Sequence, residues 1–236
     1  MNRPPPAHMV ILCTSLFLAA CKPAGITIAV TADERTGATA ATVADAFLIL
    51  PGDYAQKTTL ADLEARFGIA NVRQETTPAP RVVLFPDDPT RRAYVVFHKA
   101  AAFQELKHIY VTDPGSRWRG KQGVQVGMTF AKLRELNGKP FYYDGFDEQK
   151  RGGIYDSWSP SMSDEDATLG AFDVGEGDHL YFEVELGVGD PARLKAASDL
   201  PADEHLSSDD PRFPHLGELI LVTAMGASSS LDDEWE

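Results

Sequence analysis

Two cysteines, six histidines and 35 carboxylates are the groups in this chain that could do chemistry, so their spacing decides which chemistry is open. His98, His108, His179, His205 and His215 stand far apart, and neither H-x-x-x-H nor C-x-x-C occurs. A zinc site needs several such ligands converging, so none is expected. No serine sits in G-x-S-x-G, and no glycine run matches a phosphate-cradling loop. Acids crowd into residues 163–179, where Asp164, Glu165, Asp166, Asp173, Glu176 and Asp178 offer the hard oxygens that calcium prefers. Their spacing is not that of an EF-hand loop, and Gly175 and Gly177 suit a turn between strands. The expectation is therefore no catalytic, cofactor or metal site. The alternative is an enzyme working through scattered carboxylates such as Asp144 and Asp156.

The first stretch holds a different chemistry. Arg3 precedes an uncharged apolar run from Met9 to Ala20, too short to span a bilayer but right for the core of a signal peptide. It closes on Leu18-Ala19-Ala20-Cys21, which resembles the bacterial lipobox, in which small residues precede a cysteine that receives lipid. Residues 1–20 are then a lipoprotein signal peptide, and Cys21 becomes the acylated end of a tether over 21–45. Cys13 leaves with the signal, so the exported part has no pair of thiols to oxidise. Each buried methylene contributes ~0.8 kcal/mol, so the two or more chains that the lipobox implies anchor stably where one would not. Lys22 is not the aspartate that retains many lipoproteins at the inner membrane, which favours the outer membrane, facing the periplasm. Without residues 1–20 the chain keeps 21 basic and 35 acidic residues, a net charge of −14. Such a surface disfavours nucleic acid and anionic head groups.

Aromatics concentrate in "FYYDGFDEQKRGGIYDSW", residues 141–158. Tyr142, Tyr143, Phe146 and Trp158, with Trp118 nearby in sequence, make a candidate partner surface, because aromatics with polar tips are enriched at interfaces. Strand alternation offers the opposite reading, in which half of them face a core. On that reading Trp158 is core and Tyr143 surface. "GSRWRGKQG", residues 115–123, reads as a basic, glycine-rich linker.

The elements that would position these groups come from an echo. In "TTLADLEARFGIAN", Thr59 caps a helix with Asp62 at its third residue, Leu60, Leu63 and Phe67 make its face, and Gly68 stops it. Seventy residues on, in "MTFAKLRELNGKPF", Thr129 caps, Phe130, Leu133 and Leu136 make the face, and Gly138 stops. "AFLIL" (46–50) and "GVQV" (123–126) read as strands before the helices. After the first helix come 81–85, 93–97 and 108–111; after the second come 141–143, 153–158 and 179–186, with 218–225 as a final strand. In 179–186 the alternation puts Leu180, Phe182, Val184 and Leu186 on one face and Tyr181, Glu183 and Glu185 on the other. The predicted fold is α+β: two tandem β-α-β-β-β modules, 46–115 and 116–225, with short helices packed on antiparallel sheets. The second module carries a C-terminal extension, Asp190 to Pro214 is a loose loop, and 226–236 is an acidic tail.

This pattern of Thr-x-Ala-x-Leu…Gly followed by a meander resembles a fold group. It contains the SmpA/OmlA-type lipoproteins of outer-membrane barrel assembly and the tandem β-lactamase-inhibitor proteins. "FGIANV", "LFPDDP" and "GMTFAKLRELNGKPF" are similar to a family of bacterial exported proteins that brings no activity with it. The lipobox, the repeated module and the lack of a catalytic motif favour a membrane-anchored periplasmic binding or assembly lipoprotein, attached through lipid on Cys21 and holding a protein partner in the envelope. An inhibitor-like module that binds an exported hydrolase, and a carboxylate-dependent envelope enzyme, are the alternatives.

Overall fold

The computed structural model describes residues 47–155, 158–159, 169, 180–194, 200–202 and 205–229. Both echoing phrases form helices by the expected capping chemistry. Helix α1, Leu60–Phe67, begins at Thr59, whose hydroxyl accepts from Asp62 N while the Asp62 carboxylate accepts from Thr59 N at 2.9 Å. The Thr59 hydroxyl also holds the Asp62 carboxyl below its ordinary range. Helix α2, Phe130–Asn137, begins at Thr129, whose hydroxyl accepts from Lys132 N at 3.2 Å. Gly68 and Gly138 end them at φ of 83° and 72°, a region glycine enters without a steric penalty. Leu63, Phe67, Phe130 and Leu133 are buried, and Leu60 and Leu136 are half-buried at the margins of the same faces.

The strands are β1 (Val72–Glu75), β2 (Arg81–Leu84), β3 (Ala93–Lys99), β4 (Gln104–Val111), β5 (Tyr142–Tyr143), β6 (Arg151–Ile154), β7 (Tyr181–Val188), β8 (Leu206–Ser207) and β9 (Ile220–Ser228). Seven form one antiparallel sheet in the order β1-β2-β3-β4-β9-β7-β6, and β5 pairs with β8 in a separate ribbon. A one-turn helix, α3 (Leu216–Leu219), leads into β9. The protein is α+β, mostly antiparallel sheet with few helices. The last strand inserts between β4 and β7, so strands from both halves of the chain share one sheet. Both helices and the sheet contribute to one cluster of buried apolar residues. At one margin, the edge strand β1 carries Arg73, paired to Glu75 at 3.2 Å, and Glu75 also meets Arg81 at 2.8 Å. Charges there discourage edge-to-edge pairing with another chain.

The structure corrects several expectations. "AFLIL" and "GVQV" are not strands: Ile49 makes an isolated parallel bridge to Arg119, and Gly123 closes a 3-10 turn. "GSRWRGKQG" is not a solvated linker. Trp118 is fully buried, and its indole N–H donates to Arg91 O at 2.7 Å. Gly120 lies so close to Phe182 that a Cβ there would stand 2.1 Å from the ring. Strand β1 escaped notice because an exposed edge strand has no apolar alternation. The Asp190–Pro214 stretch contains β8, and β9 extends to Ser228, so the acidic tail begins later than residue 226. The acidic stretch 163–179 lies, apart from Leu169, outside the described residues.

One more departure concerns the sheet's second face. Alternation sends Leu180, Phe182, Val184 and Leu186 into the core as expected, but Glu183 on the other face is also 0% exposed. The Ser228 hydroxyl donates to Glu183 Oε1, and His108 Nε2 stands 3.4 Å from Oε2. Beyond His108, the Tyr110 and Tyr94 rings stack in turn at 4.9 and 5.2 Å, and the Arg81 guanidinium sits 4.7 Å over Tyr94. Burial pushes the His108 imidazole down to about 3, which keeps it neutral at ordinary pH.

Candidate binding cleft

Strand register brings together residues that the sequence scatters. Ribbon β5–β8 pairs Tyr143 with Leu206, so the next step of the antiparallel ladder sets Asp144 beside His205. His205 Nδ1 lies 3.8 Å from Asp144 Oδ1. Asp144 in turn bridges Gly153 of β6, with its N–H donating to Gly153 O at 2.8 Å. Gly153 faces Glu185 of β7. His205, Asp144, Gly153 and Glu185 thus form a row across neighbouring strands, with a residue lacking a side chain between two carboxylates. At strand spacings of about 4.8 Å, the backbones bearing those carboxylates stand roughly 10 Å apart. The Tyr155 ring lies against Gly153, where a Cβ would come within 2.7 Å of it, and forms part of the wall.

The result is an open cleft of about 480 Å³. Its remaining wall comes from Phe146, Asp147, Arg151, Gly152 and Ala202. Asp147 accepts from Arg151 N at 2.8 Å and from its guanidinium at 3.2 Å, so these two charges largely cancel. Glu185 accepts from the Thr223 hydroxyl at 3.1 Å. Phe146 N donates to Pro201 O at 2.7 Å, which holds the 200–202 stretch against the cleft. Ser208 N donates to Phe141 O at 2.8 Å and Ser208 Oγ accepts from Phe141 N at 3.0 Å, fixing β8 and with it His205. The groups on display are three carboxylates beside one imidazole, one guanidinium and the rings of Tyr155 and Phe146. They can hold a ligand through its hydroxyls or cationic groups. His205 is 75% exposed and Asp144 41%, so solvent and a ligand can reach both.

The candidate partner surface fares differently. Trp118, Tyr143, Phe146 and Trp158 are all buried, and only Tyr142 is half-exposed. Trp158 is core as expected, stacked at 5.9 Å on Phe182, with its indole N–H donating to Phe182 O at 3.3 Å. Tyr143 is a correction. Its ring packs against that of Phe130, the first residue of α2, at 5.2 Å, a tertiary contact that strand alternation does not reveal. Burial, with the Asp210 carboxylate nearby, pushes its phenol above the ordinary tyrosine range.

Of the two carboxylates considered for catalysis, Asp144 lines the cleft and Asp156 lies outside the described residues. Cys21 lies outside them too. Glu185, Arg151 and His205 were missed as site residues. The alternation of β7 puts Glu185 on the second face, but only the pairing with Gly153 shows what stands next to it. Among the described residues no three His, Cys, Asp or Glu side chains converge to hold a metal ion, and no helix is long and apolar enough to cross a membrane. Comparison with protein families, with curated proteins and with solved structures yields no significant match.

Proposed function

We propose that this protein is a lipid-anchored binding protein of the bacterial envelope, held at the outer membrane through Cys21 and engaging a protein partner in the periplasm. The observation that carries the reading is Leu18-Ala19-Ala20-Cys21 at the end of an uncharged apolar run. The cleft supports binding over turnover, since its carboxylates are open to solvent or tied to Arg151 and Thr223. With the clustered aromatics buried, the cleft replaces them as the recognition surface. Its carboxylates Asp144 and Glu185, on a chain of net charge −13, favour a partner that presents basic groups. On this reading the capped helices at Thr59 and Thr129, each followed by a run of strands, mark two related modules, as in the assembly lipoproteins and tandem inhibitors that the sequence resembles.

The test joins anchor and cleft. Labelled palmitate should enter the wild-type protein and not the Cys21→Ser variant. A photo-crosslinking side chain at Asp147, on the cleft wall, should capture one protein from native membranes, and the Asp144→Arg, Glu185→Arg double variant should lose it. Equal palmitate in both proteins sinks the anchor. An unchanged crosslink in the double variant sinks the cleft.

A second reading is favoured by the Asp144–His205 approach: a carboxylate-dependent enzyme acting on envelope saccharides. Turnover of cell-wall fragments, abolished by Asp144→Asn while the fold persists, would select it.

A further inference from the structure

We propose that the cleft receives an arginine side chain of the partner, its guanidinium lying between Asp144 and Glu185 against the Tyr155 ring. This inference rests on the cleft being the recognition surface, as proposed above, and names the group it recognises. Residues directly opposite one another in a sheet project from the same face. Asp144 bridges Gly153, and Gly153 pairs with Glu185, so both carboxylates stand on one side of the strands, and both line the cleft. Gly153 leaves the place between them open, and the Tyr155 phenol takes it: a Cβ on Gly153 would lie 2.7 Å from Tyr155 Cζ and 2.8 Å from Cε2. An aromatic ring thus stands between two carboxylates.

That combination selects a cation, since carboxylates and the face of an aromatic ring both attract positive charge. The fold does not supply one. Asp53 has Arg66 and Asp113 has Arg92 as counter-charges, but among the described residues neither Asp144 nor Glu185 pairs with a lysine or arginine. The charged neighbour of Asp144 is His205, at 3.8 Å, and Glu185 accepts from Thr223 through Oε1, which leaves Oε2 for a ligand. Arg151, on the same wall, is held by Asp147 at 3.2 Å. A guanidinium suits the place better than an ammonium. It is flat enough to stack on a ring, and its fork of donors serves carboxylates at opposite edges, whereas an ammonium is a compact, strongly hydrated point charge. Flanking backbones roughly 10 Å apart leave room for one such planar group between their side chains.

The experiment titrates the full-length protein in detergent micelles, by calorimetry, with the peptide acetyl-Gly-Gly-Arg-Gly-Gly-amide. Counterparts carry lysine or citrulline, the uncharged isostere of arginine, in place of the arginine. The arginine peptide should bind more tightly than the lysine one. The citrulline peptide should bind about tenfold more weakly, because charge-assisted hydrogen bonds are roughly twice as strong as neutral ones. Asp144→Asn and Glu185→Gln keep the shape of each side chain and remove its charge. Each should weaken the arginine peptide, with an unchanged Tm showing that the fold persists. No binding of the arginine peptide, binding equal to that of citrulline, or a preference for the neutral saccharide chitobiose overturns the inference. The crosslink from Asp147 tells that failure from failure of the cleft itself: a crosslink still lost in the Asp144→Arg, Glu185→Arg variant leaves the cleft standing.

Discussion

Replacing Gly120 by alanine gives opposite results in a linker and in this structure. At a solvated linker position whose backbone suits any residue, Gly→Ala stabilises by ~0.4–1 kcal/mol, because it narrows the unfolded ensemble. Gly120 has φ of −81°, so its backbone would accept alanine without strain. Its surroundings would not. The added methyl would lie 2.1 Å from Phe182 Cζ and 2.5 Å from Cε2, against carbon contacts of about 3.5–4.0 Å. The ring would have to retreat by more than an ångström. It is 3% exposed and stacked on Trp158, which is itself fully buried, so there is little free space behind it. Overpacking of this kind costs ~1–3 kcal/mol, which exceeds the chain-entropy gain. The net expectation is a loss of about 1–2 kcal/mol, or roughly 2–8 °C in Tm for a protein of this size. Urea unfolding followed by tryptophan fluorescence would measure it. The companion change Phe182→Leu should cost stability alone yet relieve part of the Gly120→Ala loss, and a double-mutant cycle would expose that coupling. A Tm that is unchanged or raised in Gly120→Ala, or strict additivity with Phe182→Leu, would refute the packing argument.

Leu63→Ala and Leu133→Ala should each lose ~2–5 kcal/mol, since both leucines are fully buried on their helices; a loss under ~0.5 kcal/mol in urea titration at either site would break the equivalence of α1 and α2. The Tyr143 hydroxyl is buried with no hydrogen-bond partner among the described residues, so Tyr143→Phe should leave stability unchanged or raise it, and calorimetry showing a loss above ~1 kcal/mol would count against that. His108 is neutral when folded because burial, with the Lys107 charge beside it, disfavours the imidazolium, while the unfolded chain takes up a proton near pH 6.5. Its folded value is thus depressed, so stability rises with pH across this window and is lost as pH falls from about 6.5 toward 3, by up to ~1.4 kcal/mol per unit. Urea midpoints of the wild type and His108→Gln between pH 4 and 7 should show a shallower slope in the variant.

Both helices were legible in the sequence because a cap, an apolar face and a stop are written within ten consecutive residues. Thr59, Asp62 and Gly68 act on neighbours at fixed helical spacing, and Thr129 and Gly138 do the same. The inward side of β7 was legible for a similar reason, since alternation along one strand is a local property. The resemblance of Leu18 to Cys21 to a lipobox also rests on adjacent residues, which lie outside the described ones. What lay beyond reach was every fact that depends on which segments meet. Tyr143 and Trp118 have the composition of an interface, and only the ring contact of Phe130 with Tyr143 and the hydrogen bond from Trp118 to Arg91 show them to be core. Glu183 sits on the strand face that should be wet, yet the insertion of β9 beside β7 surrounds it with Ser228 and His108. The cleft exists because the registers of β5–β8, β6 and β7 align His205, Asp144, Gly153 and Glu185, residues up to 61 positions apart in the chain. A strand's side chains repeat every two residues whatever it pairs with, so its own sequence can say which residues share a face. It cannot say which strand lies alongside, because pairing energy is spread over backbone groups that are the same in every residue, and the choice falls to packing over the whole core.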